Sequence, residues 1–272
     1  MAFSVNTNVG AMAALQSLTA TNKGLSQVQS RINTGMNVAS TKDDSAAFTI
    51  AQTLRGELGG LKAVSSSLSR AKSTTDVAVA GAEQISDLVN QMKAKAIEAS
   101  DEGLDADSRT AIGKDFTALK EQITTIIDSS EFNGTNLLKA SGGNVKALQS
   151  TDTAATTLSV DNQDFTAINT AIGATFTDAA TAKTMVGTLE TQAKAINGKL
   201  SALGSASRKI DGQSSFVSKL SDTIEAGIGN LVDADLAKES AKLQALQVKQ
   251  QLGVQALSIA NQAPQTITSL FR

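Results

Sequence analysis

The last part of the chain, from Asp235 to Arg272, carries the clearest pattern of hydrophobic positions. Projected at about 100° per residue, residues 236–259 form a helix with two apolar stripes on nearly opposite sides. One stripe consists of Ala245, Val248, Leu252, Ala256 and Ile259, and the other of Leu243, Leu246, Val254 and Leu257. A helix with two apolar sides needs at least two neighbours. We therefore predict that this helix packs inside an assembly and not on the surface of a monomer.

The beginning of the chain has the same character. Residues 1–22 and 250–271 contain no Lys, Arg, Asp or Glu. The three-four spacing of a coiled-coil seam joins Ala14, Leu18, Thr21, Leu25, Val28, Ile32 and Gly35. We predict that the two end helices pack against each other and against neighbouring copies. The predicted self-assembly interface consists of Leu15, Leu18, Leu25, Val28, Ile32, Leu243, Leu246, Val248, Leu252, Val254, Leu257, Ile259, Leu270 and Phe271.

Between these ends, the spacing predicts three further helices. The first runs from about Asp44 to about Ser100, with a seam at Leu54, Leu58, Leu61, Leu68, Val79, Ala82 and Val89. The next carries Ile112, Phe116, Leu119, Ile123 and Ile126. The longest seam comprises Ile196, Leu200, Leu203, Ser207, Ile210, Ser214 and Val217, continued by Leu220, Ile224, Ile228 and Leu231. Sustained spacing of this kind predicts a mainly α fold, a long antiparallel helical coiled-coil bundle.

Polar groups mark where two of these helices begin. Residues 40–45 contain hydroxyl and carboxylate groups that are placed to cap the helix after them. The acidic run from Asp101 to Asp107 precedes the next helix. Its acids do not follow the spacing of an EF-hand loop. We therefore interpret the run as a solvated turn that caps the following helix, and not as a calcium site.

From about Glu131 to Thr177 the helical period disappears, and Gly, Asn, Ser, Thr and Asp dominate. Residues 144–149 and 156–160 are predicted to form the two short strands of a hairpin, so that the bundle ends in a small β-hairpin and loop tip. One interpretation of this region is an exposed, variable loop. The other is a display of hydroxyl groups that carry O-linked sugar. The candidate acceptors are Thr151, Thr153, Thr156, Thr157, Thr166, Thr170, Thr175 and Thr177.

Composition narrows the classes of function. Aromatic residues make up 3% of the chain, with eight Phe and no Trp or Tyr, so thin helices packed through aliphatic side chains fit better than a thick globular core. Pro264 is the one proline, which permits long helices before it. Histidine and cysteine are absent. Their absence excludes disulfides, Cys/His zinc sites, cysteine nucleophiles and the Ser-His-Asp triad.

We predict no catalytic residue, no cofactor and no metal. Asp43 and Asp44 are a conceivable acid and base, but adjacent residues at a helix start point in different directions, which favours capping. A net charge of −2 gives no electrostatic reason to expect a nucleic acid or a membrane as partner. Residues 1–6 do not resemble a secretory signal peptide, and no apolar run approaches membrane-spanning length. The protein is expected either to stay inside the cell or to leave without signal cleavage.

Several motifs, in this order along the chain, resemble the signatures of bacterial flagellin. The amino-terminal ones are residues 6–8 (NTN), 31–39 (RINTGMNVA), 42–47 (KDDSAA) and 132–138 (FNGTNLL). The carboxy-terminal ones are residues 233–239 (DADLAKE), 255–265 (QALSIANQAPQ) and 270–272 (LFR). The resemblance covers about residues 1–140 and 183–272. The middle between them is short, as in the alphaproteobacterial branch of the family.

This resemblance implies an organisation in three parts. Residues 1–40 and 235–272 would pair as the inner core of a filament, the D0-like part. Residues 41–140 and 178–234 would form the long-helix bundle, the D1-like part, and residues 141–177 the variable outer surface. The resemblance also implies an extracellular flagellar filament that serves swimming motility, built from subunits exported unfolded without a cleaved signal.

The partners implied are other flagellin subunits, the flagellar export apparatus and an export chaperone, and the filament cap and hook-filament junction proteins. Two alternatives belong to other classes. The first is a hook-filament junction adaptor or another coiled-coil interaction protein, since junction proteins resemble flagellin at both ends. Some flagellins carry a peptidase in their middle, but its zinc motif requires two histidines, and this chain has none.

Overall fold

The computed structural model describes residues 7–152, 157–173 and 175–270, and for residues 263–270 only the backbone. The described residues form six helices and one two-stranded antiparallel sheet. The elements are α1 (Val9–Thr34), α2 (Ser45–Ala99), α3 (Ala106–Ser129), β1 (Val145–Ala147), β2 (Leu158–Val160), α4 (Phe165–Ala171), α5 (Ala179–Val232) and α6 (Leu236–Leu270). Of the described residues, 77% are helical, which confirms the predicted mainly α fold with a small hairpin.

The chain divides into two units. The terminal unit contains Met1–Gly56 and Thr223–Arg272, and the middle unit contains Glu57–Asp222. The three-part division into residues 1–40 with 235–272, 41–140 with 178–234, and 141–177 stays a prediction.

Polar caps begin two of the long helices, as predicted. Asp44 Oδ1 accepts hydrogen bonds from the backbone N–H groups of Ala46 and Ala47 at the start of α2, at 2.9 and 3.0 Å. Asp105 Oδ1 accepts from the N–H of Ser108 at 2.7 Å and so caps α3. These bonds satisfy N–H groups that have no partner within their own helix. The backbone N–H of Ser108 is also the main cause that lowers the pKa of Asp105 below its ordinary value.

Unbroken seams hold the middle unit together. Along α2 the buried positions follow alternating steps of three and four, at Leu61, Val64, Leu68, Ala71, Thr75, Ala78, Ala82, Ile85, Val89, Met92, Ala96 and Ala99. Along α5 they recur at every seventh residue, at Ala182, Leu189, Ile196, Leu203, Ile210 and Val217. Of the predicted α2 seam, Val79 is only half-buried because the inward position falls on Ala78. Leu54 and Leu58 are also half-buried, although they keep the spacing between the buried Ala51 and Leu61.

Ion pairs across the seams show how the helices run. Lys72 of α2 pairs with Asp211 of α5 at 3.2 Å, and Lys93 pairs with Glu190 at 2.8 Å. As the number rises along α2 it falls along α5, so the two helices are antiparallel. Lys95 pairs with Asp115 at 3.4 Å and links α2 to α3. The hydrogen bond to Asp211 is the main cause that raises the pKa of Lys72 above its ordinary value.

The hairpin confirms the predicted strands in a shorter form. Val145 pairs with Val160 and Ala147 with Leu158 in an antiparallel register. Asn162 fastens this hairpin to the preceding loop, because its side-chain amide donates to the carbonyl oxygens of Asn136 and Lys139 at 3.1 and 2.8 Å. Asn133 and Gly134 form a tight turn in which φ is +49° at Asn133 and +79° at Gly134. The residues on either side of it, Phe132 and Thr135, form two backbone hydrogen bonds with each other.

Helix α4 was not predicted, since the whole range from Glu131 to Thr177 was expected to lack helix. Asp164 caps α4 by accepting from the N–H of Ala167 at 3.3 Å. Phe165, Ile168 and Ile172 are buried, at spacings of three and four. That spacing, directly after an aspartate, is the signal that could have revealed the helix. Lys120 of α3 donates to the carbonyl oxygen of Ile172 at 2.5 Å and holds the end of α4.

Replacing Gly59 of α2 by alanine is expected to raise the free energy of unfolding of the middle unit by about 1 kcal/mol. Glycine lowers the stability of a helix interior by roughly that amount relative to alanine. A Cβ at Gly59 would meet no atom within 4 Å, so packing does not require the glycine. Urea unfolding followed by circular dichroism measures the change.

The matched control is Gly81→Ala in the same helix. A Cβ at Gly81 would lie 2.3 Å from Ser130 Oγ and 2.9 Å from Leu138 Cδ1. The helix-propensity gain is therefore outweighed by overpacking, and the free energy of unfolding should fall. Equal stabilisation by both substitutions would contradict this account.

Candidate functional site

Helices α1 and α6 lie side by side in the terminal unit and run antiparallel. The Asn8 side-chain amide donates to the carbonyl oxygen of Ala260 at 2.7 Å, near the free ends of both helices. Midway, Gln250 donates to Asn22 Oδ1 at 2.7 Å. A Cβ on Gly24 would lie 3.6 Å from Leu246 Cδ1, an ordinary packing distance. The predicted pairing of the two end helices is therefore present within one chain.

A backbone turn joins this helix pair to the rest of the terminal unit. Gly35 ends α1 with φ at +71°, a left-handed conformation that glycine adopts without strain. Its carbonyl oxygen accepts from the N–H of Ala234 at 2.8 Å, and the carbonyl of Val232 accepts from Asn37 and Val38 at 2.7 and 3.2 Å. Val38 and Val232 then join a small buried cluster with Ala51 and Ile228. These contacts hold the end of α1 beside the start of α6, where the packing of the two helices begins.

A buried carboxylate lies at the same end of the helix pair. The Glu239 side chain of α6 is 7% exposed, and its Oε1 lies 3.6 Å from Arg31 Nη1 of α1 and 2.5 Å from Lys242 Nζ. Glu239 Oε2 and Arg31 Nε are buried without a hydrogen-bond partner among the described residues. The ion pair therefore leaves two buried polar atoms without hydrogen bonds. Removing either charge would leave the other one buried without a partner, which is destabilising. Sequence reasoning missed this pair, because both residues look like ordinary surface charges on helices.

Replacing Glu239 by alanine is expected to destabilise the pairing of α1 and α6 by about 2 kcal/mol, because the substitution leaves the half-buried guanidinium of Arg31 without its carboxylate. Hydrogen exchange of the backbone amides in both helices measures the loss. Lys242→Ala is the control. Its side chain is 45% exposed, so we expect a loss below about 0.5 kcal/mol. A larger effect at Lys242 than at Glu239 would contradict the prediction.

The predicted interface residues separate into two groups in the structure. The first group is buried or half-buried and comprises Leu18, Leu25, Val28, Ile32, Leu243, Leu246 and Leu257. The second group is exposed and comprises Leu15, Val248, Leu252, Val254 and Ile259. The Leu270 side chain and Phe271 lie outside the described residues. One of the two α6 stripes, Ala245 to Ile259, is exposed at every position, whereas the other is half-buried except at Val254.

The exposed group is larger than the sequence suggested. Val9, Met12 and Leu236 also leave between 50% and 73% of their surface exposed. Together with Leu15, Val248, Leu252, Val254 and Ile259, these residues form what we call the outer apolar set. Val9 and Met12 were not predicted, since they precede the regular seam that begins at Ala14.

The candidate sugar acceptors lie mostly at the surface. Thr151, Thr157, Thr170, Thr175 and Thr177 are exposed, and Thr166 is half-buried. Thr153 and Thr156 lie outside the described residues. The hydroxyl of Thr170 donates to the carbonyl of Thr166 at 2.9 Å. Glycosylation at these positions stays a prediction.

Asp43 and Asp44, the conceivable acid and base, both form hydrogen bonds that stabilise the local fold. Asp43 Oδ2 accepts from the N–H and the hydroxyl of Ser40 at 3.0 and 3.1 Å, and the hydroxyl bond is the main cause that lowers the pKa of Asp43. Asp44 caps α2. Across residues 7–152, 157–173 and 175–270, no group of three acidic side chains is placed to hold a metal ion. Within the same ranges, no helix is sufficiently long and apolar to span a membrane.

Comparison with known proteins gives matches at both ends of the chain. Residues 5–143 match the family model of the bacterial flagellin N-terminal helical region, and residues 186–271 match that of the C-terminal helical region. The chain is 46% identical over 269 residues to flagellin FljM of Caulobacter vibrioides, covering 99% of this chain and 98% of the relative. It is 36% identical over 291 residues to a flagellin of Brucella melitensis, covering 99% of both.

Two solved structures share the fold. The crystal structure of Bacillus cereus flagellin matches with a TM-score of 0.51 and 24% identity, over 54% of this chain and 86% of that one. A putative flagellar hook-associated protein from Vibrio parahaemolyticus matches with a TM-score of 0.57 and 12% identity, over 70% of this chain and all of that one. At these identities the two structures support the architecture alone.

Proposed function

The chain belongs to the bacterial flagellin family, and from this premise we propose that its end helices are the surfaces through which copies polymerise into the extracellular flagellar filament. As a flagellin, it is a structural subunit of that filament, which serves motility. The proposal concerns which residues carry the polymerisation and how folding is coupled to it.

The outer apolar set is the observation that carries this proposal. Its eight side chains sit on a helix pair and are each at least half exposed. Burying one Val, Leu, Ile or Met side chain completely contributes about 1.5–3 kcal/mol, so covering the set by neighbouring copies would drive association strongly. Exposed apolar surface of this kind marks interaction sites in proteins. The absence of charge in residues 250–271 adds to the argument, because no ion there has to be desolvated.

We further propose that ordering of the end helices is coupled to assembly. Each of α1 and α6 has one apolar side covered by the other helix and further apolar side chains uncovered. Packing of an amphipathic face supplies most of the stability of a helix, so a half-covered pair is weakly stabilised. The contact with neighbouring copies would then complete the folding of both helices.

Membership of the family supports a proposal for the export route and the partners. We propose that the chain leaves the cell through the flagellar export apparatus, without a cleaved signal, with the help of an export chaperone. The filament cap and the hook-filament junction proteins would be its other partners. The paired ends, residues 1–40 and 235–272, would line the inner filament core, and residues 141–177 would form the outer surface. The family is structural, and we propose no catalytic role.

A hook-filament junction protein is the second candidate, since a hook-associated protein shares the fold. A junction protein should form a layer of limited size, whereas a filament subunit adds to its own ends without limit. Sequence identity to named flagellins over nearly the whole chain favours the filament subunit.

Seeded growth tests the proposal. Purified monomer is added to short sonicated fragments, length is followed by electron microscopy, and helicity is followed by circular dichroism. We expect unlimited elongation together with a rise in helicity. A monomer that is already fully helical and ignores the seeds would reject both the filament role and the coupling.

Intact mass tests the sugar hypothesis separately. Protein taken from native filaments should be heavier than the 27.9 kDa chain if the exposed threonines carry O-linked sugar. Peptide mapping would place the added mass between Thr151 and Thr177. A mass equal to that of the chain would reject the hypothesis for that preparation.

A further inference from the structure

A polar cleft lies in the middle unit, beside the carboxyl end of α3. Its floor is one face of α2 with Ser67, Arg70 and Thr74, and its walls are the Asn133-Gly134 turn and strand β1 with Lys146. The cleft has a volume of about 160 Å³. A cleft of this size is large enough to receive side chains.

The charge of this cleft is positive. Arg70 and Lys146 line it, no carboxylate does, and neither cation forms an ion pair with a described residue. Arg70 donates one hydrogen bond, to Ser66 Oγ at 3.3 Å, which leaves further guanidinium donors. Both side chains are exposed. An Arg–Lys pair of this kind can bind a carboxylate through charge-assisted hydrogen bonds.

An acidic turn lies at the opposite end of α3. Asp101, Glu102, Asp105 and Asp107 are exposed, and none forms an ion pair with a described residue. Arg109, the nearest cation in sequence, donates instead to the carbonyl oxygens of Ala99, Asp101 and Leu104 at 3.0, 2.8 and 3.1 Å. The Arg109 guanidinium therefore stabilises the backbone of the turn and does not pair with its carboxylates.

The cleft and the turn cannot meet within one chain. Both adjoin α2, at Arg70 and just beyond Ala99, and a helix rises 1.5 Å per residue, so about 45 Å separate them. They also mark the two ends of α3, which begins after Asp105 and ends just before the Asn133-Gly134 turn. A second copy displaced along α3 by about this length would bring its acidic turn to the cleft of the first.

We infer that the cleft of one subunit receives the acidic turn of the next subunit along the filament. The inference rests on the proposed polymerisation and names a contact for it outside the end helices. The contact is heterologous, since each copy offers a cleft at one end of α3 and an acidic turn at the other. Copies displaced along α3 in this way form an open array and not a closed ring. Opposite charges at this contact orient the incoming subunit and exclude a reversed one.

Changes of charge on each side test the contact. R70E/K146E reverses the charge of the cleft. E102K/D107K takes the turn from four negative charges to a net charge of zero, and it keeps the capping carboxylate of Asp105 and the hydrogen bond that Asp101 accepts from the Gly103 N–H. Each variant should elongate on its own seeds at least about tenfold more slowly than the unchanged chain. The chain carrying all four substitutions should elongate at least about threefold faster than R70E/K146E, because its acidic cleft no longer faces a turn with a net negative charge.

The matched control is K183E/R208E, which makes the same charge change at exposed positions of α5 that form no ion pair with a described residue. It should elongate normally. Cleft and turn variants that elongate like this control, or a fourfold variant that elongates no faster than R70E/K146E, would overturn the inference. Failure of the unchanged chain to elongate would instead reject the proposed function.

A neutral variant keeps the test valid if a reversal impairs folding. R70Q/K146Q, with a circular dichroism melt equal to that of the unchanged chain, should elongate with a weaker dependence on salt, because salt screens the charge attraction that the variant lacks. An unchanged salt dependence would count against the contact.

Discussion

Replacing Leu252 and Ile259 by glutamate is expected to lower the rate of elongation from seeds by at least about a hundredfold. The two side chains are 59% and 69% exposed in the single chain, so the monomer should accept the change without loss of helicity. Burying two unpaired carboxylates at a subunit contact costs several kcal/mol, which outweighs any attraction that remains there. Electron microscopy of seeded growth and circular dichroism of the monomer measure the two effects.

The matched control uses the neighbouring exposed polar positions. Q251E/S258E adds the same charge to the same stretch of α6, without removing an apolar side chain. It should slow elongation much less than L252E/I259E. Equal inhibition by the two variants would mean that charge alone, and not the outer apolar set, decides assembly.

Replacing Phe116 by alanine is expected to lower the free energy of unfolding of the middle unit by about 3–5 kcal/mol. Phe116 is fully buried, and its ring meets that of Phe176 edge to face at 5.2 Å between centroids. Truncation removes this contact and leaves a cavity between α3 and the segment before α5. Urea unfolding followed by circular dichroism measures the loss.

Phe216→Ala is the control for this prediction. The same side chain is removed, but Phe216 lies on α5 with 57% of its surface exposed. Its truncation should change the free energy of unfolding by less than about 0.5 kcal/mol. A loss at Phe216 comparable to that at Phe116 would show that the burial of these two rings does not govern their contribution.

Helix positions and their inward faces could be predicted because the three-four spacing is a direct consequence of helix geometry. The predicted α1 seam from Ala14 to Ile32 is buried or half-buried at every position. The predicted bounds of α2, about Asp44 to about Ser100, differ by one residue at each end from Ser45–Ala99. These bounds could be predicted because a capping aspartate, Asp44, precedes the helix and an acidic turn follows it.

Other features depend on contacts that are distant in sequence. Leu246 and Val248 look equally apolar, yet only Leu246 packs beside Gly24 of α1. No local signal distinguishes the stripe of α6 that meets α1 from the stripe left open. The burial of Glu239 arises in the same way, from its approach to Arg31 across the helix pair. Helix α4 was obscured by its short length and its threonine-rich surroundings.

The seven-residue recurrence of buried positions along α5 has a consequence for how this helix coils. A straight α-helix would rotate such a seam by about 20° per heptad, or about 100° between Ala182 and Val217. Because the seam stays buried throughout, this repeat favours a left-handed superhelical path for α5. Deleting one residue there would turn all later inward positions away from the core. Removing whole heptads, together from α5 and from the antiparallel α2, is therefore the way to shorten the bundle that keeps both seams in register.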